Sequence, residues 1–486
     1  MGQVGAWSRN AVAPRLPGRI GMVGLLTRSN ALRLGSTMVA SVVVAACGGS
    51  AAPPSPTPAP VAPALPAPTA QRTPAPAPAP IATKAPVPVL HWFGYAPPHR
   101  FGMAQKAVLD DFMARNPGRI ALEVGESSAN VQLAKIKIAV AAGTPPTMWF
   151  GWQVEASDLW GSGALVDLNA ELSANKDWGR NRADLIPSLL SGAEWKGKLT
   201  LVPMFADPNI LGFNRKLLAD AGLSLPADRY TWENWLEIGR KAASPPDRVL
   251  GQFIYNWSSL QWWGFSNGVV PLNAERTKVQ FTAPALLATL EWLDQNVTRG
   301  LLRNGPGDFD LGKTLTEVVN PGAITPPRYP NVDPGDGSGI FATHYPIGPD
   351  NTKKEPITAG NVFGFMAFKG AKGDATLAAA EIAAWSVRPD VQLLVAQASS
   401  NPPSNTTAAR DPALAKVFND HPVRKALNDQ ARFGYPTPNF PSWGKVTAMI
   451  DETLARLAKG ELRPKDALAD IQAKAQPMID TDLEAG

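Results

Sequence analysis

The residues Gly307 to Thr314, GDFDLGKT, fit the pattern G-x-x-x-x-G-K-[ST], in which backbone amides and a lysine cradle nucleotide phosphates. That chemistry needs a buried apolar strand before the loop and a helix N-terminus after it. The residues ahead, TRGLLRNGP, put Gly and Pro where the strand should end, and Asp308 and Asp310 place two negative charges in a loop meant for anions. The match is one of letters, and no ATP binding is expected. Other catalytic patterns are also missing. His91, His99, His344 and His421 show no H-x-x-x-H spacing for a metal. No G-x-S-x-G elbow occurs, and the adjacent pair Asp110-Asp111 cannot face each other on a helix. A glycoside hydrolase needs no local pattern around its two carboxylates, so pattern alone leaves a glycan-active enzyme open. No cofactor and no metal are expected.

Tryptophan offers a different chemistry, because its flat apolar face and single N–H suit the C–H faces and hydroxyl edges of a sugar. Fourteen of the 15 tryptophans follow Trp7. Trp232 and Trp235, in the helix start TWENW, and Trp292 and Trp385, amid Leu and Ala, are read as structural. Trp152 follows a short apolar strand, at a carboxyl end where open α/β sheets hold ligands. Asn256, Trp257, Trp262 and Trp263 fall in FIYNWSSLQWWGFSNG, a loop-like run of aromatics and amides. These are candidate stacking and polar residues for a carbohydrate.

Charge sets limits on partners. The formal net charge is +5, but no Asp or Glu precedes Asp110, while Arg9, Arg15, Arg19, Arg28 and Arg33 lie in the first 46 residues. Removing these five from 46 basic residues leaves 41, equal to the 41 acidic ones, so a nucleic-acid partner loses its support. Arg28 and Arg33 precede the apolar run LGSTMVASVVVAA, Leu34 to Ala46, which is shorter than the roughly 20 residues of a membrane span and has the length of a signal-peptide core. It ends at Cys47, the only cysteine, and Val-Ala-Ala-Cys resembles the bacterial lipobox. The expectation is a leader at 1–46 with Met22 or a nearby residue as true start, a lipidated Cys47, and an extracytoplasmic protein anchored to the cell membrane. Residues 51–88 hold 14 prolines among Ala, Thr and Ser, so 47–86 is expected to be an extended tether.

Elements alternate from there. The spacing predicts strands at Val89–Phe93, Ile120–Val124 and Met148–Phe150, and helices at Phe101–Arg115 and Val131–Ala142. Strand and helix in alternation give a mostly parallel sheet covered on both faces.

Segment order then carries a family resemblance. ARNPGRIALEV, VQLAKIKIAVAAGTPPTMWFGW, LTLVPMFADPNILGFNRKLLADAGLSLPADRYTWENWLEIGRKA, AGNVFGFMAFKGAKGDATLAAAEIAAWSVRPDVQ and NPPSNTTA follow one another as in the extracellular solute-binding proteins of ABC importers. The likeness is to the sugar-binding, maltose-binding-protein-like type and covers residues 88 to 480. It implies a two-lobe α/β fold of the type II periplasmic-binding class, each lobe a mostly parallel sheet flanked by helices, with a ligand cleft at the hinge. It implies an N-terminal lobe of 87–202 with 356–403 and a C-terminal lobe of 203–355 with 404–486. The chain would cross near Pro203 to Asp207, Pro356 and Pro403.

The same resemblance places Asp207 and Asn209 at the hinge, Gly360 and Asn361 where backbone approaches ligand, and Arg328, Tyr329 and Trp443 at cleft-lining positions. Asp207 is equally a turn residue before Pro208. Leu311 to Thr314 would take the place of a helix followed by a strand toward the cleft. The stretch GAITPPRYPNVDPGDGSG departs from the family pattern, and Arg328 could receive a phosphate or carboxylate as readily as a hydroxyl. The implied function is a monomeric receptor that passes a carbohydrate, an oligosaccharide, to permease subunits served by a separate ATPase. A surface polysaccharide-binding adhesin is the alternative from another class.

Overall fold

The computed structural model describes residues 85–125, 132–226, 229–305, 307–324 and 328–485. The leader at 1–46, the lipidation position Cys47 and all but the end of the 47–86 tether lie outside the described residues. Among the described residues no helix is long and apolar enough to cross a membrane.

Three parallel strands open the fold: β1 (Val87–Trp92), β2 (Ile120–Gly125) and β3 (Met148–Trp152), with β1 in the middle. The helix Arg100–Arg115 joins the first two and buries Phe101, Ala104, Val108 and Phe112, the i, i+3, i+4 stripe that faces a sheet. It stops before Gly118, whose φ of 73° is the left-handed conformation glycine adopts freely. A hairpin of β4 (Glu194–Trp195) and β5 (Lys198–Leu199) follows.

Strands β6 (Val202–Pro208) and β7 (Ile210–Asn214) then run almost end to end, β6 belonging to one sheet and β7 to another. Next come β8 (Gly251–Gln252), β9 (Leu302–Arg303), β10 (Thr316–Val319), β11 (Ile340–Thr343), β12 (Thr358–Ala367) and β13 (Gly434–Pro436). The first sheet has the order β13-β12-β3-β1-β2, with β6 antiparallel to β12. In the second, β10 and β11 flank β7 antiparallel. The parallel pair β8 and β9 joins β10 through Thr316 N–H to Leu250 O at 2.9 Å.

Two large cores match the two sheets. One gathers Val89, Phe112, Trp149, Phe205 and Phe365, the other Phe213, Trp235, Trp263, Phe281 and Ile471. This is a two-lobe α/β fold of the type II periplasmic-binding class, although the main sheet of the second lobe is antiparallel rather than mostly parallel as expected.

The third crossing differs from expectation. Residues near Pro403 stay with the first lobe: Ala206 N–H bonds Pro402 O at 2.9 Å, and Ile186 N–H bonds Ser404 O at 2.9 Å. Leu414 and Phe418 on helix Pro412–Asn419 pack with Ala396 and Ala408 rather than with the second core. The boundary expected at 403/404 is therefore corrected. The chain crosses later, through helix Pro422–Ala431 and β13, where Val423 and Leu427 pack with Ile210 and Ile340 and Ala431 with the first core.

Candidate functional site

The carboxyl ends of β1 and β3 point toward the crossing strands, the place where open α/β sheets hold ligands. After β1, the loop carries Tyr95 and His99, whose rings stack with centroids 4.7 Å apart. His99 Nδ1 accepts Phe101 N–H at 3.2 Å and so caps the following helix. Arg100, the first helical residue, is buried (6 % exposed) and reaches β6, where its Nη2 lies 3.1 Å from Asp207 Oδ1. Its Nη1 bonds Asn401 Oδ1, and Asn401 Nδ2 donates to Asp207 Oδ1 and to Ala206 O, each at 2.9 Å. The guanidinium also sits 4.0 Å from the Phe101 ring centroid. A buried ion pair costs desolvation unless its remaining donors and acceptors find partners, and Asn401 supplies one to each ion here.

After β3, Glu155 Oε2 accepts Trp152 N–H at 2.8 Å, capping the helix Gln153–Gly161. Burial pushes the Glu155 carboxyl up to about 7, against that stabilising amide. Burial, then the charges of Glu155 and Asp207, push the Tyr95 hydroxyl up to about 12. Burial and the Arg100 charge hold His99 below its ordinary value. From the second lobe, the turn Pro321–Ala323 after β10 closes over this cluster. A Cβ added at Gly322 would lie 3.1 Å from Arg100 Nε and 3.0 Å from Asn320 Oδ1.

The expected site residues divide in two. Trp152, Asp207 and Asn361 belong to the inter-lobe region. Trp152 is half-buried, touches both large cores, and its enclosed Nε1 has no partner. Asn361 on β12 lies opposite Asp207 on β6. Gly360 pairs with Pro208 and faces Gly434, where a Cβ would come within 3.1 Å of Gly434 Cα. Buried Asn209 directs its Nδ2 to Ala359 O at 3.4 Å.

The remaining expected residues are not joined to the Arg100–Asp207–Asn401 cluster, although Arg328 N–H bonds Ala323 O at 3.1 Å in the turn above it. The run around Asn256 is a helix, Trp257–Ser266, with Asn256 as N-cap accepting Ser259 N–H at 2.9 Å. Trp257 and Trp263 are buried in the second core, and Trp262 packs against it from a half-buried position. Trp443 is fully buried, edge-on to Trp257 at 5.8 Å, and is a packing residue rather than a stacking platform. Tyr329 is buried against Phe309, while Arg328 is exposed with its guanidinium 5.3 Å from the Tyr329 ring. Tyr95, His99, Arg100, Glu155, Gly322 and Asn401 escaped the reading of the sequence. The one local cue was PPHRF, a basic residue opening a helix directly after a strand.

GDFDLGKT is likewise resolved by geometry. Phe309–Leu311 is a single 3-10 turn, Gly312 turns at φ 68°, and strand β10 follows where a phosphate loop would start a helix. Asp308 holds Arg303 at 3.2 Å and Lys313 at 3.7 Å. Gly307 lies against buried Glu317 on β10, leaving no room for a side chain. Gln252 Nε2 donates to Glu317 Oε1 at 2.8 Å, and burial pushes that carboxyl up to about 7.

Comparison with known proteins agrees with this architecture. Residues 107–422 match the family model described as bacterial extracellular solute-binding protein, and the chain belongs to that family. Among solved structures, the cyclic alpha-maltosyl-1,6-maltose binding protein of Arthrobacter globiformis superposes with a TM-score of 0.70 at 19% identity, covering 82% of this chain and 100% of that one. An ABC substrate-binding protein of Listeria monocytogenes, in complex with cycloalternan, gives 0.67 at 15% identity over 82% and 99%. The galactooligosaccharide-binding protein of Bacillus subtilis (strain 168) is 32% identical over 77 residues, 16% of this chain and 17% of that protein. That match thus spans less than a fifth of the curated relative's length.

Proposed function

We propose that the protein is the substrate-binding receptor of an ABC importer, and that it binds a neutral carbohydrate between its lobes without altering it. The observation that carries this is the pre-ordered polar cluster Arg100, Asp207 and Asn401 at the sheet's carboxyl ends, beside Trp152 and Tyr95 and beneath the second-lobe turn at Gly322. In this cluster the buried guanidinium is already paired with Asp207, so the site favours hydroxyls over phosphate. Aromatic faces with a few fixed polar groups are what a sugar needs. Similar proteins are described with maltose-like and galactooligosaccharide ligands, which supports the oligosaccharide class. Lobe closure over the ligand and docking to permease subunits complete the reading, with a separate ATPase supplying energy. Cys47 anchors the chain to the outer face of the cell membrane through its lipid, with 47–86 as a spacer.

A thermal-shift screen of the full chain tests the ligand class with mono-, di- and oligosaccharides, polyols and phosphorylated glycerols. A ligand far above its dissociation constant should add about 3 kcal/mol of stability. Shifts only with amino acids or peptides would overturn the carbohydrate reading. Cys47→Ser should release the protein from the membrane fraction, and retention there would refute the anchor.

A further inference from the structure

We propose that the second lobe carries a second small-molecule site, for a flat aromatic anion, that shares no residue with the inter-lobe cluster. A cavity of about 600 Å³ lies beside the start of helix Trp232–Ala242, within the volume range of small-ligand pockets. Its wall is a pair of indoles, Trp232 and Trp292, with ring centroids 4.3 Å apart at 25°. Trp232 is buried and pinned by its Nε1 donating to Ser266 Oγ at 3.1 Å, whereas Trp292 is only half-buried. Ala288, Ile347 and Pro349 continue the apolar lining.

The opposite side is equally fixed. Gly348 N–H bonds Ser266 O at 2.9 Å, Asp350 N–H bonds Asn267 Oδ1 at 2.9 Å, and Asn351 Nδ2 donates to Ser266 O at 3.0 Å. The pocket is thus preformed, which lowers the ordering cost of binding.

Its polar groups select the ligand. Asn267 Nδ2 already serves Ala285 O, Thr289 Oγ1 and Asp350 Oδ2, and Thr231 Oγ1 is bonded to Asn234. Glu233 pairs with Arg240 at 2.6 Å, both side chains largely exposed. Exposed Lys354 remains at the rim, and among the described residues no ion pair includes it. An apolar box with occupied amides suits a sugar poorly, since each ring hydroxyl would lose its water without a partner. An aromatic ring against Trp292, with a carboxylate or sulfonate at Lys354, satisfies both the indole face and the cation.

Anilinonaphthalenesulfonate is the probe, titrated into the folded full-length protein and followed by its emission. One saturable site is expected. Trp292→Ala should weaken it at least tenfold and Trp292→Phe should largely retain it, which separates ring loss from misfolding. Lys354→Gln, at an exposed position, should weaken the sulfonate severalfold but leave uncharged phenylnaphthylamine unchanged. No saturable binding, equal binding by Trp292→Ala, or displacement by saturating maltooligosaccharide would each overturn the proposal. Loss of sugar binding in the thermal screen, with this site intact, would sink only the receptor reading.

Discussion

Arg100 and Asp207 stand 107 positions apart in the chain and meet through a 3.1 Å contact with both side chains about 5 % exposed. Removing one partner of a buried pair leaves the other charge uncompensated, which typically costs about 3–5 kcal/mol. Asp207→Asn should therefore lower stability in urea by that order and weaken ligand binding too; a loss under about 1 kcal/mol would mean that water reaches Arg100. Trp443→Ala follows the opposite logic. The side chain is fully buried among Trp257 and Phe281, so truncation should cost about 3–5 kcal/mol through cavity formation. Affinity per folded molecule should stay unchanged, and a tenfold loss in fully folded protein would return Trp443 to the cleft. The family resemblance marked Asp207 as a hinge residue, but an indole in a core and an indole in a cleft are the same letter. Only the partners distinguish them, and these lie far along the chain.

Elements were far more legible than sites. The period of Phe101, Ala104, Val108 and Phe112 forecast a helix that the structure runs from Arg100 to Arg115, and the alternation at Ile120, Leu122 and Val124 forecast β2. The run WSSLQWWGFS misled because its helix is buried nearly all round and shows no polar face to set a period. The crossing near Pro403 was carried over from the family pattern, and hydrogen bonds from Ala206 and Ile186 to Pro402 and Ser404 keep that segment with the first lobe. At Gly322 the turn after β10 approaches Arg100 so closely that any side chain must press on the first lobe. Gly322→Leu should hold the lobes apart, raising the radius of gyration in small-angle scattering with saturating ligand. An unchanged radius and unchanged affinity would show that this turn does not close the cleft.

Across the whole molecule, buried titratable groups pull stability in opposite directions with pH. His91 is fully buried against Gln105, and burial lowers it to about 4 from an ordinary 6.5. Its contribution is present above 6.5 and is lost as pH falls through 4, because the unfolded chain takes up the proton first. Glu155 and Glu317 have folded values raised to about 7, so their contributions are full below about 4.5 and are lost as pH rises through 7. The parent protein's profile mixes these slopes, but a variant isolates one. Glu155→Gln keeps an oxygen for the Trp152 amide and removes the ionisation. Its stability relative to the parent should rise between pH 5 and pH 8, on the order of 2 kcal/mol once partial solvent screening is allowed for. Denaturant melts at both pH values measure this, and a gap that stays constant would mean Glu155 ionises in the folded protein as it does in water. If the gap opens as expected, sugar affinity should be nearly flat below pH 6, because the carboxyl beside Trp152 is already neutral there and its hydrogen-bonding form no longer changes.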